Sequence, residues 1–295
     1  MLSDTEIGMS EAFEKVLDAG CALGESPVWV AASQTLAFVD ITGRRLHRYD
    51  PKSGAYRTYP VDEDIGCLAP ARGGGFIAGL RSGLWRLGED GAKQGLLAAN
   101  PEPPETNRFN DGKVDPAGRY FAGTVDEPKA GAKAGLYRFD QRGIVRVAQR
   151  LTTTNGICFS PDGRTLYFSD TPKFVIWRCD YDPATGAASN QREFVRIEPT
   201  ATDRGRPDGA AMDAEGCYWS SMYEGGRIHR YDPDGHLMSS HPLPARKCTM
   251  PAFGGPDLKT LYVTSAADEG REGGDLYALD VDVAGLPIPP FDPRI

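Results

Sequence analysis

No run of lysine or arginine, no C-x-x-C pair and no apolar stretch near the length of a membrane span occurs in this 295-residue chain. Each absence removes a class of function. The formal net charge is −8, so a polyanion such as DNA meets repulsion instead of releasing counterions. A bilayer span needs about 18 or more consecutive apolar residues, so no membrane segment is expected. The six cysteines, Cys21, Cys67, Cys158, Cys179, Cys217 and Cys248, stand far apart. Without a secretory leader they read as reduced, buried thiols. The opening MLSDTEIGMSEAFEK is acidic and has no apolar centre, so it is no export signal and the expected compartment is the cytoplasm. The four histidines form no H-E-x-x-H, and no G-x-S-x-G nucleophile elbow is present. Gly73-Gly74-Gly75 lacks the following Lys-Ser/Thr of a phosphate loop and reads as a turn with close packing. Sustained helical periodicity is missing too. The stretch from Ser10 to Leu17 is a weak helix candidate.

Turn residues are plentiful: 35 glycines and 23 prolines, scattered along the chain, fit tight reversals between short strands. Hydrophobic residues make up 40%, enough for a sizeable core. A weak repeat emerges with a period in the forties. Six copies of a turn-and-strand unit are SQTLAFVD, RGGGFIAGL, PAGRYFAGT, PDGRTLYFSD, AEGCYWSSM and PDLKTLYVTSA. Six third strands answer them: RRLHRYDP, SGLWRLGED, AGLYRFDQRG, FVIWRCDYDPATG, GRIHRYDPDG and GGDLYALDVD. Their alternation of apolar with polar or aromatic residues is that of half-buried strands. No room remains for the crossover helices of a parallel sheet. The pattern predicts an all-β, six-bladed β-propeller of four antiparallel strands per blade, one domain over 1–295 with an ordered core of about 12–285. After the last repeat only the Pro-rich VAGLPIPPFDPRI remains, so AFEKVLDAG at the other end is expected to supply the outer strand of the last blade and close the ring.

Innermost strands of a propeller begin at one end of a central channel. Reading the first residues of each unit gives Glu25 in LGESPVW, Asn110 in RFNDGKVD, Asn155 in TNGICFSPDG and Asp208 in PDGAAMDAEG. The other two units offer Gly66-Cys67 and Pro251. Successive separations correspond to two, one and one repeat units, so these four side chains are expected at one matching phase on the axis. Two carboxylates and two amides in a low-dielectric channel need a cation. An all-oxygen set favours one divalent ion: Ca²⁺, Mg²⁺ or Mn²⁺, with Zn²⁺ also accommodated. Arg108, two residues before Asn110, is expected near the channel mouth, where it either grips an anion or hydroxyls or forms a surface ion pair.

At these residues the chain resembles the senescence marker protein (regucalcin), gluconolactonase and luciferin-regenerating enzyme family. LGESPVW, FVDI, NRFNDGKVDPAGRYFAGT, TNGICFSPDG with LYFSD, PDGAAMDAEG and FGGPDLKTLYVTSA carry the likeness from about residue 20 to 280. The resemblance implies a divalent ion held by Glu25, Asn155 and Asp208. It also implies Asn110 beside the ion's water or the substrate, Arg108 on a sugar acid, and Asp208 as general base. Some members place a substrate-binding Glu a few residues beyond the G-T of the long motif. Here GTVDEPKAG offers Glu127, displaced by one position and followed by Pro128, which implies a changed sugar preference.

The implied activity is hydrolysis of sugar-acid lactones such as glucono-, galactono-, xylono- or arabinonolactone. The ion acts as Lewis acid on the carbonyl and Asp208 as proton acceptor. The expected partner is this small molecule, not nucleic acid or membrane. Two other readings stay open: a metal-dependent phosphotriesterase using the same ion and base, and a non-enzymatic calcium-binding propeller.

Overall fold

The computed structural model describes residues 12–270 and 272–295. Six four-stranded antiparallel sheets form a ring, and within five of them the strands follow chain order from the inside out. The innermost strands are Gly24–Val30, Ile65–Pro70, Asn107–Val114, Thr154–Phe159, Arg206–Met212 and Cys248–Gly254, which head blades one to six. Each touches the innermost strands of its two neighbours, so together they line the channel. These segments are buried almost throughout. Outer strands such as Ala187–Arg196 are largely exposed, because only one face has a neighbour.

Blade six departs from chain order, and the departure closes the ring. Its outermost strand is Glu14–Leu17, paired antiparallel with Leu276–Asp280. The expected closure by the N-terminal segment is therefore present. The helix candidate is overturned for its described part: Glu14–Leu17 is extended, because the edge of Leu276–Asp280 offers backbone partners and local propensity does not prevail. Ser10 and Glu11 lie outside the described residues. A single 3₁₀ turn, Thr171–Lys173, is the one helical element among the described residues.

The apolar core is divided between the blades. Each of six clusters joins side chains of adjacent sheets: Trp219 with Phe253 and Leu261, Leu46 with Phe76, Cys67 with Phe109, Phe121 with Phe168, Phe38 with Tyr262, and Tyr167 with Tyr218. No blade buries its faces alone, so the ring is the stable unit. All six cysteines are free and buried, as expected. Burial pushes the Cys67, Cys158 and Cys248 thiols up to about 12, so they are unreactive at neutral pH. Gly73, Gly74 and Gly75 all take positive φ in a turn, and a Cβ at Gly75 would lie 2.3 Å from the Leu87 carbonyl oxygen.

The Pro-rich tail adds no strand to any blade but crosses one end of the channel. Leu286 N donates to Met212 O, Phe291 N to Pro70 O and Asp292 N to Gly118 O, with the Phe291 ring buried beside Phe139. A cavity of about 350 Å³ lies beneath it, between Val114, Phe159, Met212 and Phe253. None of the candidate metal ligands lines that cavity; they stand at the opposite end of the same strands.

Candidate functional site

Every innermost strand carries a register shift at the same place, just after its first residues. Bulges of this kind bend a strand and re-aim side chains. Ladder pairing locates each candidate relative to its bulge. Glu25 pairs with Val39 and Asn155 with Ser169 at the last regular position. In the other two strands that position belongs to Phe109 and Pro207, and Asn110 and Asp208 stand one residue further, inside the bulge. The expectation of one matching phase is therefore corrected. The reason is visible in the backbone: Ser26 and Gly156, which follow Glu25 and Asn155, turn left-handed with φ of 50° and 62°. Glycine tolerates that conformation, whereas at Ser26 it is strained. Pro251 likewise lies past its bulge, which encloses Thr249 and Met250.

Despite the offset, Asn110 bonds Asn155, Asn155 reaches Asp208, and Glu25 is close enough for the charge of Asp208 to act on it. Glu25, Asn110, Asn155 and Asp208 are buried, with 3–7% of their surface exposed. A directed chain of hydrogen bonds fixes the amides. Arg108 Nη1 donates to Asn110 Oδ1 (2.8 Å), Asn110 Nδ2 to Asn155 Oδ1 (2.7 Å) and Asn155 Nδ2 to Thr171 Oγ1 (2.8 Å). Thr171 Oγ1 then donates to Pro207 O (2.7 Å). Both amides thus have one orientation that satisfies every donor in the chain.

The carboxylates carry the electrostatic strain. Burial and then the charge of Asp208 push the Glu25 carboxyl well above its usual range, against the Ser26 N–H and Arg108. Burial and the charge of Asp111 push Asp208 up, against Arg206 and the Asn155 amide. Asp111, whose oxygens accept from Gly112 and Ile157 N–H, is raised chiefly by burial as well. Carboxyls crowded in a low-dielectric channel resist ionising together. A bound cation removes that resistance. Two carboxylates and an amide oxygen are the donors a hard or borderline divalent ion takes, so the residues present fit such an ion.

Sequence reading named Arg108 and Glu127 at the mouth but missed the residues that hold them. Glu127 is half exposed and receives the Arg81 guanidinium in a two-pronged contact (2.8 and 2.9 Å), with Arg108 Nε at 3.4 Å. Arg81 also grips Asp64, which pairs with Arg44. Two residues before Asp208, Arg206 pairs with Glu224 at 2.8 Å and lies over the Tyr223 ring. Thr171 comes from a 3₁₀ turn, and Arg81, Glu127 and Glu224 from just past the ends of second strands, which the repeat does not mark, whereas Asp111 follows Asn110 on its own strand. The x-P-D-G of blade five, with arginine at x, was the one available signal for Arg206.

The chain is similar to proteins with lactonase names. It is 42% identical to a 6-deoxy-6-sulfogluconolactonase of Pseudomonas putida, over 96% of this chain and 99% of that protein. It is 38% identical to a pentonolactonase of Haloferax volcanii, over 92% and 96%. Among solved structures, a calcium-binding regucalcin from Agrobacterium tumefaciens superposes with a TM-score of 0.89 at 28% identity, covering 95% of this chain and 97% of that one. Residues 23–267 match the SMP-30/gluconolactonase/LRE-like region, and with the six-bladed ring and its axial cluster already described, the chain belongs to that family.

Proposed function

We propose that the protein hydrolyses sugar-acid lactones at the axial cluster with one divalent ion. The observation that carries this reading is the pair of buried carboxyls, Glu25 and Asp208, both raised chiefly by burial, Glu25 further by the charge of Asp208 and Asp208 by that of Asp111, beside an oriented amide. The lactonase names of its relatives support the substrate class. An ion held by Glu25, Asn155 and Asp208 would supply positive charge against the lactone carbonyl oxygen.

The chain's own groups do the rest. Asp208 takes a proton from water as the water oxygen bonds to the carbonyl carbon. When the ring C–O bond breaks, the same carboxyl returns that proton to the departing alkoxide, leaving a hydroxy acid. Asn110, held by Arg108, orients Asn155 and lines the approach. Arg108 and Glu127 stand at the mouth, where hydroxyls of an open substrate face would meet them.

The test is a pH-indicator assay across glucono-, galactono-, xylono- and arabinonolactone, with a phosphotriester as a further arm. Hydrolysis of at least one lactone well above the spontaneous rate is expected. Turnover of the phosphotriester alone would move the reading to a phosphotriesterase. Turnover of neither, with calcium still bound, would favour a non-enzymatic calcium-binding propeller.

A further inference from the structure

We infer that Arg206 is an anion-recognising residue, and that the preferred lactone carries a second, negatively charged group (phosphate, sulfonate or carboxylate) away from its carbonyl. The inference rests on the lactonase reading for its substrate but stands on separate residues.

One residue before the last regular ladder pair of each innermost strand, Gly24, Asp64, Arg108, Thr154, Arg206 and Lys247 stand at the mouth end, Asp64 and Lys247 just ahead of their strands. Ion pairs tie the charged members to their surroundings: Asp64 to Arg44 and Arg81, Arg108 to Glu127, Arg206 to Glu224, and Lys247 to Asp268, which also holds Arg246. In this network six cations meet four carboxylates. Above the axial carboxyls Glu25, Asp111 and Asp208, in a chain with a net charge of −8, these rim pairs thus carry a local excess of positive charge, which favours anionic ligands at the rim.

Within that rim Arg44 and Arg206 each spend one nitrogen on an ion pair and keep donors to spare, and of the two Arg206 is the one on an innermost strand beside Asp208. Arg108 spends Nη1 on Phe109 O and Asn110 Oδ1 and faces Glu127 with Nε. Arg81 is engaged by Asp64 and Glu127 together. Arg206 makes one ion pair through Nη2, its guanidinium lies 5.3 Å from the Tyr223 ring centroid, and its buried Nε has no hydrogen-bond partner among the described residues. A buried N–H without a partner calls for an explanation. Arg138 and Arg178 share that feature, but both lie on third strands, away from the mouth. Arg206 is two residues from Asp208 on the same strand, near enough that its charge lowers the Asp208 pKa. Glu224 on one side and the ring on the other pre-orient the fork, a geometry suited to an oxyanion.

The experiment compares kcat/KM on a neutral aldonolactone and on its C6-phosphorylated counterpart, and titrates inorganic phosphate into metal-stripped protein by calorimetry. Wild type should prefer the anionic lactone by about tenfold or more. R206Q should erase that preference through KM and weaken phosphate binding by a similar factor, while R206K retains part of both. E224Q, which frees the guanidinium, should tighten phosphate binding. Equal use of both lactones by wild type, or phosphate binding unchanged in R206Q, overturns the inference. If neither lactone is hydrolysed, the lactonase reading fails. The phosphate titration then decides Arg206 alone: binding lost in R206Q and tightened in E224Q upholds the anion site, and any other result removes it.

Discussion

The proposed mechanism gives Asp208 two duties, as donor to a cation and as proton acceptor, and substitution can separate them. Asp208→Asn keeps the shape and an oxygen but removes the acceptor. At saturating metal kcat should fall about 10²-fold or more, since general-base catalysis contributes about 10²–10⁴. Near-native turnover by this variant would take the base role away from Asp208. Glu25→Gln should lose activity mainly through metal affinity and recover when excess metal is added. His47 gives a test of a different kind. Its ring is stacked on Phe38 and Tyr56, with Tyr56 Oη and Thr58 Oγ1 on Nδ1 and Cys21 Sγ 3.7 Å from Nε2. Burial lowers its pKa from 6.5 to about 4, with Asp40 opposing and Arg45 assisting. The unfolded chain therefore binds more protons between those values, so this contribution is full above about pH 6.5 and is lost as pH falls toward 4. The gap in melting temperature between wild type and His47→Gln should shrink from pH 7 to pH 4.5. A gap of constant size would show that His47 does not titrate this way.

At the scale of strands, the closure by Glu14–Leu17 is the joint on which the ring depends. Phe13, just before it, is buried in the cluster of Trp219, Phe253 and Tyr277, bridging blades five and six. Phe13→Ala should cost about 3–5 kcal/mol. Deleting residues 1–20 should do worse, because it also bares the edge of Leu276–Asp280 and invites aggregation. Equal melting temperatures for full-length and truncated protein would show the strand to be dispensable. Much of this level was legible beforehand. Turn chemistry such as DPAG and PDG, and alternation in strands such as TLYFSD, are local, and six copies reinforce one another. The bulges were not legible, because a two-against-one pairing leaves composition untouched. That is why Asn110 and Asp208 were read in phase with Glu25 and Asn155, when the backbone places them one residue later. Arg81 and Arg206 escaped for a related reason. Their partners, Glu127 and Glu224, are brought to them by sheet geometry, and nothing in the repeat singles them out.

For the molecule as a whole, the axial cluster joins blades that sequence keeps far apart. Glu25 comes from blade one, Asn110 from three, Asn155 from four and Asp208 from five, so the proposed ion would tie together opposite sides of the ring. Without a cation the mutual repulsion of Glu25, Asp208 and Asp111 opposes closure of that ring. A bound cation would offset that repulsion by attracting each carboxylate. Because the four residues converge only in the fold, the ion should bind the native state far better than the unfolded chain. Free metal at about 100 times Kd should then add about 2.7 kcal/mol of stability. Melting temperature should rise with the logarithm of free metal once Kd is exceeded, fall on chelation, and recover with one of Ca²⁺, Mg²⁺, Mn²⁺ or Zn²⁺. Glu25→Gln and Asp208→Asn should each flatten that response. They should also raise the stability of the metal-free protein, since each removes one member of the repelling set. A metal-free sample that melts at the same temperature as the loaded one, with lactone turnover intact, would mean that neither the fold nor the activity depends on an ion at these carboxyls.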